Sequence, residues 1–237
     1  HEFRIIGNAG VGKTYIVSEF FKNYPQSVYF TAPTNKAVKV LKNNFQKTKH
    51  EFLTLSKLLN IREMIDYNGT INYSQKTSSK IKNSIIVIDE ASMISKTVYK
   101  YIQSDLVRYN KIIYLGDDKQ LPPVNESLSV IFNEKIPTFQ LNEIIRQEKD
   151  NPIIKLSREE NIKEAVKQKI HPEFDYVTLS KTKSIIQTHG IENLQFIGWT
   201  NKIVDSLNSS IRTLIYGSNL AKIIIKDRLI VNNLYKN

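Results

Sequence analysis

An α/β fold built on parallel sheets is predicted by three stretches of this sequence. Phe3-Arg4-Ile5-Ile6 is a short apolar run that opens into Gly7-Asn8-Ala9-Gly10-Val11-Gly12-Lys13-Thr14, a G-x-x-x-x-G-K-[ST] loop, and then into helix-forming residues from Tyr15 to Asn23. Ile85-Ile86-Val87-Ile88 is an unbroken apolar run that ends in Asp89-Glu90. Lys111 to Gly116 repeats that pattern and ends in Asp117-Asp118. Continuous β-branched runs, as opposed to strict alternation, mark strands covered on both faces, as in a parallel sheet between helices.

Composition sets the frame. The 237 residues allow one large or two medium domains. A hydrophobic content of 41% with 24% charged residues excludes a disordered chain, and no apolar run approaches the ~20 residues of a membrane helix. The absence of cysteine removes disulfides and thiolate metal sites and fits an intracellular setting, whether cytoplasm, nucleoid, nucleus or viral factory. The net charge of +11 suits a polyanionic partner, most simply nucleic acid, or else a lysine-rich surface kept for solubility. His1 abuts the first strand and the chain stops just after the apolar run from Ile223, so both ends are expected to continue in a longer protein.

The glycine-rich loop carries the first chemistry. Glycines let several backbone N–H groups converge on a phosphate cluster, and the following helix adds its positive dipole end. Gly7, Asn8, Ala9, Gly10, Val11, Gly12, Lys13 and Thr14 are therefore candidate nucleotide-binding residues. Lys13 is suited to the β- and γ-phosphates and the Thr14 hydroxyl to Mg²⁺. Val28 to Ala32 reads as the next strand, broken by Pro33, with Thr34 or Asn35 capping a helix from Lys36 to Asn44. That helix N-terminus is either a second anion site, for a nucleic-acid phosphate, or a plain capped crossover.

From Phe52 to Met64 the spacing of Leu55, Leu58, Leu59, Ile61 and Ile65 predicts a helix. Ile65 to Tyr73 predicts a hairpin turning at Asn68-Gly69, and the polar stretch from Ser74 to Asn83 an exposed loop. Ligands of parallel sheets gather at the carboxyl ends of the strands. Asp89 is there to hold the Mg²⁺ shell and Glu90 to activate water. Gln120, after the next strand, is placed to orient that water or to sense the γ-phosphate. The second half opens at Phe139-Gln140-Leu141-Asn142-Glu143-Ile144-Ile145-Arg146-Gln147. A helix follows from about Pro152 to Ile170, then a strand from Leu194 to Trp199. A helix from Ile203 to Tyr216 presents Val204, Leu207, Ile211 and Leu214 on one face. This second strand–loop–helix unit predicts a second α/β domain, with the division near residues 138 and 139.

Taken together, these stretches resemble the superfamily-one DNA helicases of the 5′-to-3′ branch, the Dda, RecD and Pif-like families. Gly7 to Thr14 resembles motif I and Phe30-Thr31-Ala32-Pro33-Thr34-Asn35-Lys36-Ala37 motif Ia. Asp89-Glu90-Ala91-Ser92-Met93 resembles motif II, and Gly116 to Val124 motif III. Leu141 to Gln147 resembles motif IV, and Phe196-Ile197-Gly198-Trp199-Thr200-Asn201 the DNA-contacting part of a second RecA-like domain. The resemblance implies a P-loop NTPase fold: a RecA-like domain over residues 1–138 with the hairpin inserted near 65–73, then a partial second RecA-like domain over 139–237. That partial domain would end at the start of a small barrel insertion. It implies ATP and Mg²⁺ as cofactors, with Lys13, Glu90, Gln120 and Arg146 catalytic and Arg146 on the γ-phosphate. Pro33, Thr34, Asn35, Lys36, Thr54, Tyr67, Thr200, Asn201, Asn208 and Arg212 would meet DNA. Thr54-Leu55-Ser56 stands where the family carries Thr-x-His, a departure at one DNA contact.

The implied function is ATP-driven 5′-to-3′ translocation and unwinding, with single-stranded and forked DNA as partners. Replication or recombination proteins would be further partners, and replication, recombination or repair the setting. An RNA helicase, a nucleic-acid-stimulated ATPase, or a truncated ATP- and DNA-binding module without motor activity are the alternatives.

Overall fold

A computed structural model describes residues 1–45, 48–65, 71–141, 152, 156, 159, 161–170, 179–198 and 200–217. The chain divides into two compact units, His1–Asn151 and Pro152–Asn237.

The first unit is a six-stranded, wholly parallel sheet. Its strands are β1 (Glu2–Gly7), β2 (Val28–Ala32), β3 (Glu51–Thr54), β6 (Ile85–Ile88), β7 (Lys111–Gly116) and β8 (Thr138–Leu141). Their spatial order is β3-β2-β6-β7-β1-β8. The register places Ile5 beside Leu115 on one flank and Phe139 on the other, and Phe30 beside Val87. Side chains alternate between faces, so each apolar run feeds two cores. Val28, Phe30, Val87 and Leu115 pack with Val17 and Phe21 of α1 (Lys13–Phe21). Ile86, Ile88, Ile112 and Tyr114 pack on the other face with Val98, Tyr99 and Ile102 of α4 (Lys96–Ile102). Between β2 and β3 lies α2 (Asn35–Asn43).

Three expectations are corrected here. The stretch from Phe52 to Met64 is not one helix. Phe52 and Leu53 pair with β2 as part of β3. A single turn, α3 (Leu55–Leu58), follows and stops where Asn60 takes a left-handed φ of 53°. Strand β4 (Ile61–Ile65) then begins. Leu55, Leu58, Leu59 and Ile61 are all buried, so helical spacing arises from a turn and a strand that share one core. Second, residues 139–141 do not open the second unit, because β8 pairs in parallel with β1 through Arg4↔Thr138 and Gly7↔Leu141. Third, residues 194–198 form no strand. Ile197 is 83% exposed there.

The hairpin pairs β4 with β5 (Ile71–Gln75) in antiparallel register, Ile65 opposite Ile71. Its base is tied down: Gln75 Nε2 donates to the Leu59 carbonyl at 2.8 Å and to Asp105 Oδ2 at 2.6 Å. Asp105 lies in a π-helical turn, Gln103–Val107, that extends α4. The tip, with Tyr67 and Asn68-Gly69, lies outside the described residues.

Within the second unit the described elements are α5 (Ile162–Lys167), α6 (Leu179–His189) and α7 (Asn201–Tyr216). The α7 side chains expected on one face are half-buried at Val204, Leu207 and Leu214 and buried at Ile211. Among the described residues no helix is long and apolar enough to cross a membrane.

Candidate active site

Parallel strands bring the carboxyl ends of β1, β2, β6 and β7 to one edge, and the candidate residues of the first unit collect along it. The loop after β1 has the shape its glycines allow. Gly10 and Gly12 take φ of 85° and 84°, a region that costs other residues about 1–2 kcal/mol. Gly7 answers to crowding: a Cβ there would lie 2.5 Å from the Leu141 carbonyl oxygen and 2.9 Å from Val11 Cγ2. Val11 is buried and anchors the loop. Gly12 caps α1 with no side chain, so the first-turn N–H groups face the loop as an anion site. Lys13 Nζ folds back over it, donating to the carbonyls of Gly7 at 2.6 Å and Asn8 at 3.0 Å.

Thr14 Oγ1 donates to Asp89 Oδ2 at 3.0 Å, which joins residues far apart in the chain. Asp89 is held in turn through Thr31. Its N–H donates to the Thr31 carbonyl at 2.8 Å, and Thr31 Oγ1 donates to the Val87 carbonyl at 3.1 Å. One carboxylate and one hydroxyl in contact fit Mg²⁺, which takes one or two protein oxygens and completes its octahedron with phosphates and water. Among the described residues no three His, Cys, Asp or Glu gather as a metal cage.

Glu90 follows with a left-handed φ of 54°, a backbone strain of about 1–3 kcal/mol that recurs at functional sites. Its N–H donates to Asp89 Oδ1 at 2.9 Å. Burial raises its carboxyl above the ordinary range; the Asp89 charge adds to this, Lys13 opposes it and Asp117 adds further. A carboxylate raised in this way is a stronger proton acceptor. Asp117, buried after β7, accepts the Lys119 N–H at 3.0 Å and shapes the turn that carries Gln120.

Two cavities meet here. A small one, about 100 Å³, is lined by Gly10, Gly12, Lys13, Thr14, Asp89, Glu90 and Gln120 among others. A larger one, about 540 Å³, shares Thr14, Asp89, Glu90 and Gln120 and extends to Thr34, Lys36, Ala37, Val40 and Asn44 around α2. The phosphate-type chemistry belongs to the smaller cavity. The structure thus brings together Gly10, Gly12, Lys13, Thr14, Asp89, Glu90 and Gln120.

The remaining candidates lie outside the smaller cavity. Thr34 Oγ1 accepts the Ala37 N–H at 3.2 Å and so caps α2. Asn35 and Lys36 beside it are exposed, and Pro33 is half-buried. Thr54 caps α3 by accepting the Lys57 N–H at 3.3 Å. In the second unit Thr200 caps α7, accepting from Ile203 N at 3.3 Å. Asn201 opens that helix, Asn208 is exposed on it and Arg212 is half-buried. Tyr67 and Arg146 lie outside the described residues. Thr31 and Asp117 were not singled out by spacing; a buried polar side chain at a strand end is their mark, and it is visible only once the sheet is assembled.

The sequence model of the AAA domain matches residues 3–173. The chain is 33% identical to the uncharacterised protein R530 of Acanthamoeba polyphaga mimivirus, over 98% of this chain and 56% of that protein. It is 27% identical to the ATP-dependent DNA helicase Dda of Enterobacteria phage T4, over 91% of this chain and 53% of Dda. Among solved structures, the Pif1 helicase from Bacteroides in complex with ADP-AlF3 and ssDNA superposes with a TM-score of 0.51 at 18% identity, covering 97% of this chain and 57% of that one. The chain thus spans about half the length of the relatives it matches. Its parallel sheet, its P-loop and the match over residues 3–173 agree: the chain belongs to the AAA domain family, and it is similar in sequence to Dda, RecD and Pif1 helicases.

Proposed function

We propose that the protein carrying this chain is an ATP-dependent DNA helicase that moves 5′-to-3′ along single-stranded DNA and opens forked DNA. The observation that carries this reading is the joining of Lys13, Thr14, Asp89 and Glu90 around one small cavity at the head of α1. Loop N–H groups and Lys13 bind the β- and γ-phosphates. Thr14 and Asp89 hold the Mg²⁺ of Mg-ATP, which when bound neutralises charge on the phosphates. Glu90 accepts the proton of the attacking water, Gln120 orients that water, and Arg146 meets the γ-phosphate. On the DNA side, Pro33, Thr34, Asn35, Lys36 and Thr54 of the first unit and Thr200, Asn201, Asn208 and Arg212 of the second contact the strand. Tyr67 at the hairpin tip separates it. The first unit is read as the RecA-like ATP-binding domain and the second as part of a further domain of that type. The similarity to the ATP-dependent DNA helicase Dda and to the ssDNA-bound Pif1 structure supports this reading.

The test is ATPase turnover of the full-length protein with and without single-stranded DNA, and then with RNA. Unwinding of forks bearing a single 5′ or 3′ tail completes it. Stimulation by DNA with unwinding from the 5′ tail is expected. Stronger stimulation by RNA favours an RNA helicase, and unwinding from the 3′ tail overturns the direction.

A further inference from the structure

The net charge of +11 is not accounted for at the nucleotide edge, where Lys13 and Lys36 stand against Asp89, Glu90, Asp117 and Asp118. Part of it gathers at the opposite, amino edge of the same sheet. The segments that lead into β6 and β7, residues 79–84 and 106–111, hold Lys80, Lys82, Arg108 and Lys111 and no acid. Among the described residues none of these cations pairs with a carboxylate. Glu2, which starts β1 beside Ile112, is engaged instead by the Tyr114 hydroxyl at 2.7 Å and by Gln103 Nε2 at 2.9 Å.

Asn110, which is buried, staples the two segments together. Its Nδ2 donates to the carbonyls of Ile81 at 2.9 Å and Leu106 at 3.0 Å, and its Oδ1 accepts the Ser84 N–H at 3.1 Å. The Asn83 N–H donates to the Tyr109 carbonyl at 2.9 Å and the Lys111 N–H to the Ser84 carbonyl at 3.0 Å. On this fixed frame Tyr109 is 41% exposed. Lys82 Nζ lies 4.6 Å from its ring centre and Arg108 Cζ 5.4 Å. Arg108, Tyr109 and Lys111 also line a cavity of about 420 Å³, shared with Tyr24 and Gln26 from the turn before β2. Cations around an exposed aromatic ring suit single-stranded nucleic acid, with phosphates on the charges and a base on the ring. A lipid surface asks for apolar side chains to insert, and apart from Tyr109 these segments expose no large one.

We propose that this amino edge is a second nucleic-acid contact, which takes the tail of a forked DNA that is not held at the nucleotide edge. The length of β7, Lys111–Gly116, puts about 20 Å between the two edges, so the two contacts are separate sites. The proposal builds on the reading of DNA as the partner, and adds to it a surface that the nucleotide-edge residues do not include.

The experiment measures, with the full-length protein, the affinity for a duplex with a 5′ tail alone and for a fork with both tails, as a function of salt. The parent is compared with Tyr109→Ala and with a triple variant, Lys82→Ala, Arg108→Ala and Lys111→Ala. Thermal midpoint and ATPase stimulation by single-stranded DNA are read in parallel. The parent is expected to bind the fork more tightly. Each phosphate contact on a single strand contributes about 0.7 to the slope of log affinity against log salt. The triple variant should therefore lose about 2 of slope on the fork and none on the single-tailed duplex. Tyr109→Ala should weaken fork binding about tenfold. Midpoint and ATPase stimulation should stay at the parent values. A parent that binds both substrates alike overturns the proposal. So does a triple variant that keeps the fork advantage, or one that loses affinity equally for both substrates or in step with its midpoint. A variant that keeps the fork advantage but no longer binds anionic phospholipid vesicles assigns the surface to lipid instead. A parent with the fork advantage but no ATPase stimulation by DNA refutes the helicase reading and leaves the second contact standing.

Discussion

Two corners of the first unit have the same topology and opposite chemistry. Each runs from the carboxyl end of a parallel strand into a nine-residue helix: β1 into α1 and β2 into α2. At the first, the cap is Gly12 in the left-handed region with no side chain to offer. At the second, the cap is Thr34 in an extended conformation, and its hydroxyl takes the Ala37 N–H at 3.2 Å. The first corner thus leaves its first turn without a side-chain cap. The second satisfies part of its own first turn and is structurally complete without a ligand. A helix N-terminus at a strand end is therefore no binding site by position alone; the cap decides how much of it is left to bind with.

Breaking the first corner should show in chemistry. The largest effect is expected from Glu90→Gln, which removes the proposed base while Asp89 and Thr14 stay in contact. Turnover should fall by about 10²–10⁴ with nucleotide still bound, so single-turnover hydrolysis and equilibrium binding need separate measurement. Hydrolysis at the parental rate would move the base elsewhere. Lys13→Ala should follow, at about 10²–10³ in kcat, and should also weaken binding; a titration with labelled nucleotide checks this.

The next effect is on folding. Gly7→Ala drives a Cβ against the Leu141 carbonyl and Val11. Overpacking of this kind costs about 1–3 kcal/mol. Its signature should be a lower thermal midpoint with faster amide exchange in β8. The smallest effect sharpens the contrast. Thr34→Ala removes the α2 cap at about 1 kcal/mol, visible in chemical denaturation, and should leave nucleotide affinity alone. A matching loss of nucleotide affinity would show that the two corners are not independent.

The first corner was legible in the sequence because its chemistry is written in consecutive residues. Loop, lysine and hydroxyl follow one another from Gly7 to Thr14, and Asp89-Glu90 ends an apolar run that can only be a buried strand. The helix read over Phe52 to Met64 was not legible, since Leu55, Leu58 and Leu59 sit at helical spacing and Ile61 is buried by the same core from a strand. Asn60, which ends the turn, is the one local hint. The place of β8 was hidden for a different reason. Thr138 to Leu141 shows little burial pattern, and its partner β1 lies more than a hundred residues away in the chain.

The placement of β1 between β7 and β8 has a consequence for how the protein is made. The strand that carries the nucleotide loop is translated well before the strands it pairs with, residues 111–116 and 138–141. At about 5–20 residues per second, roughly 5–20 s of synthesis separate β1 from its first partner. Throughout that interval Phe3, Ile5 and Ile6 have no strand to pair with, and the loop has no sheet to hold its curve. The nascent chain is therefore most exposed to misassembly and to chaperone capture at the segment on which its chemistry depends. A nucleotide can enter only as a late ligand, after the far end of the first unit has been translated.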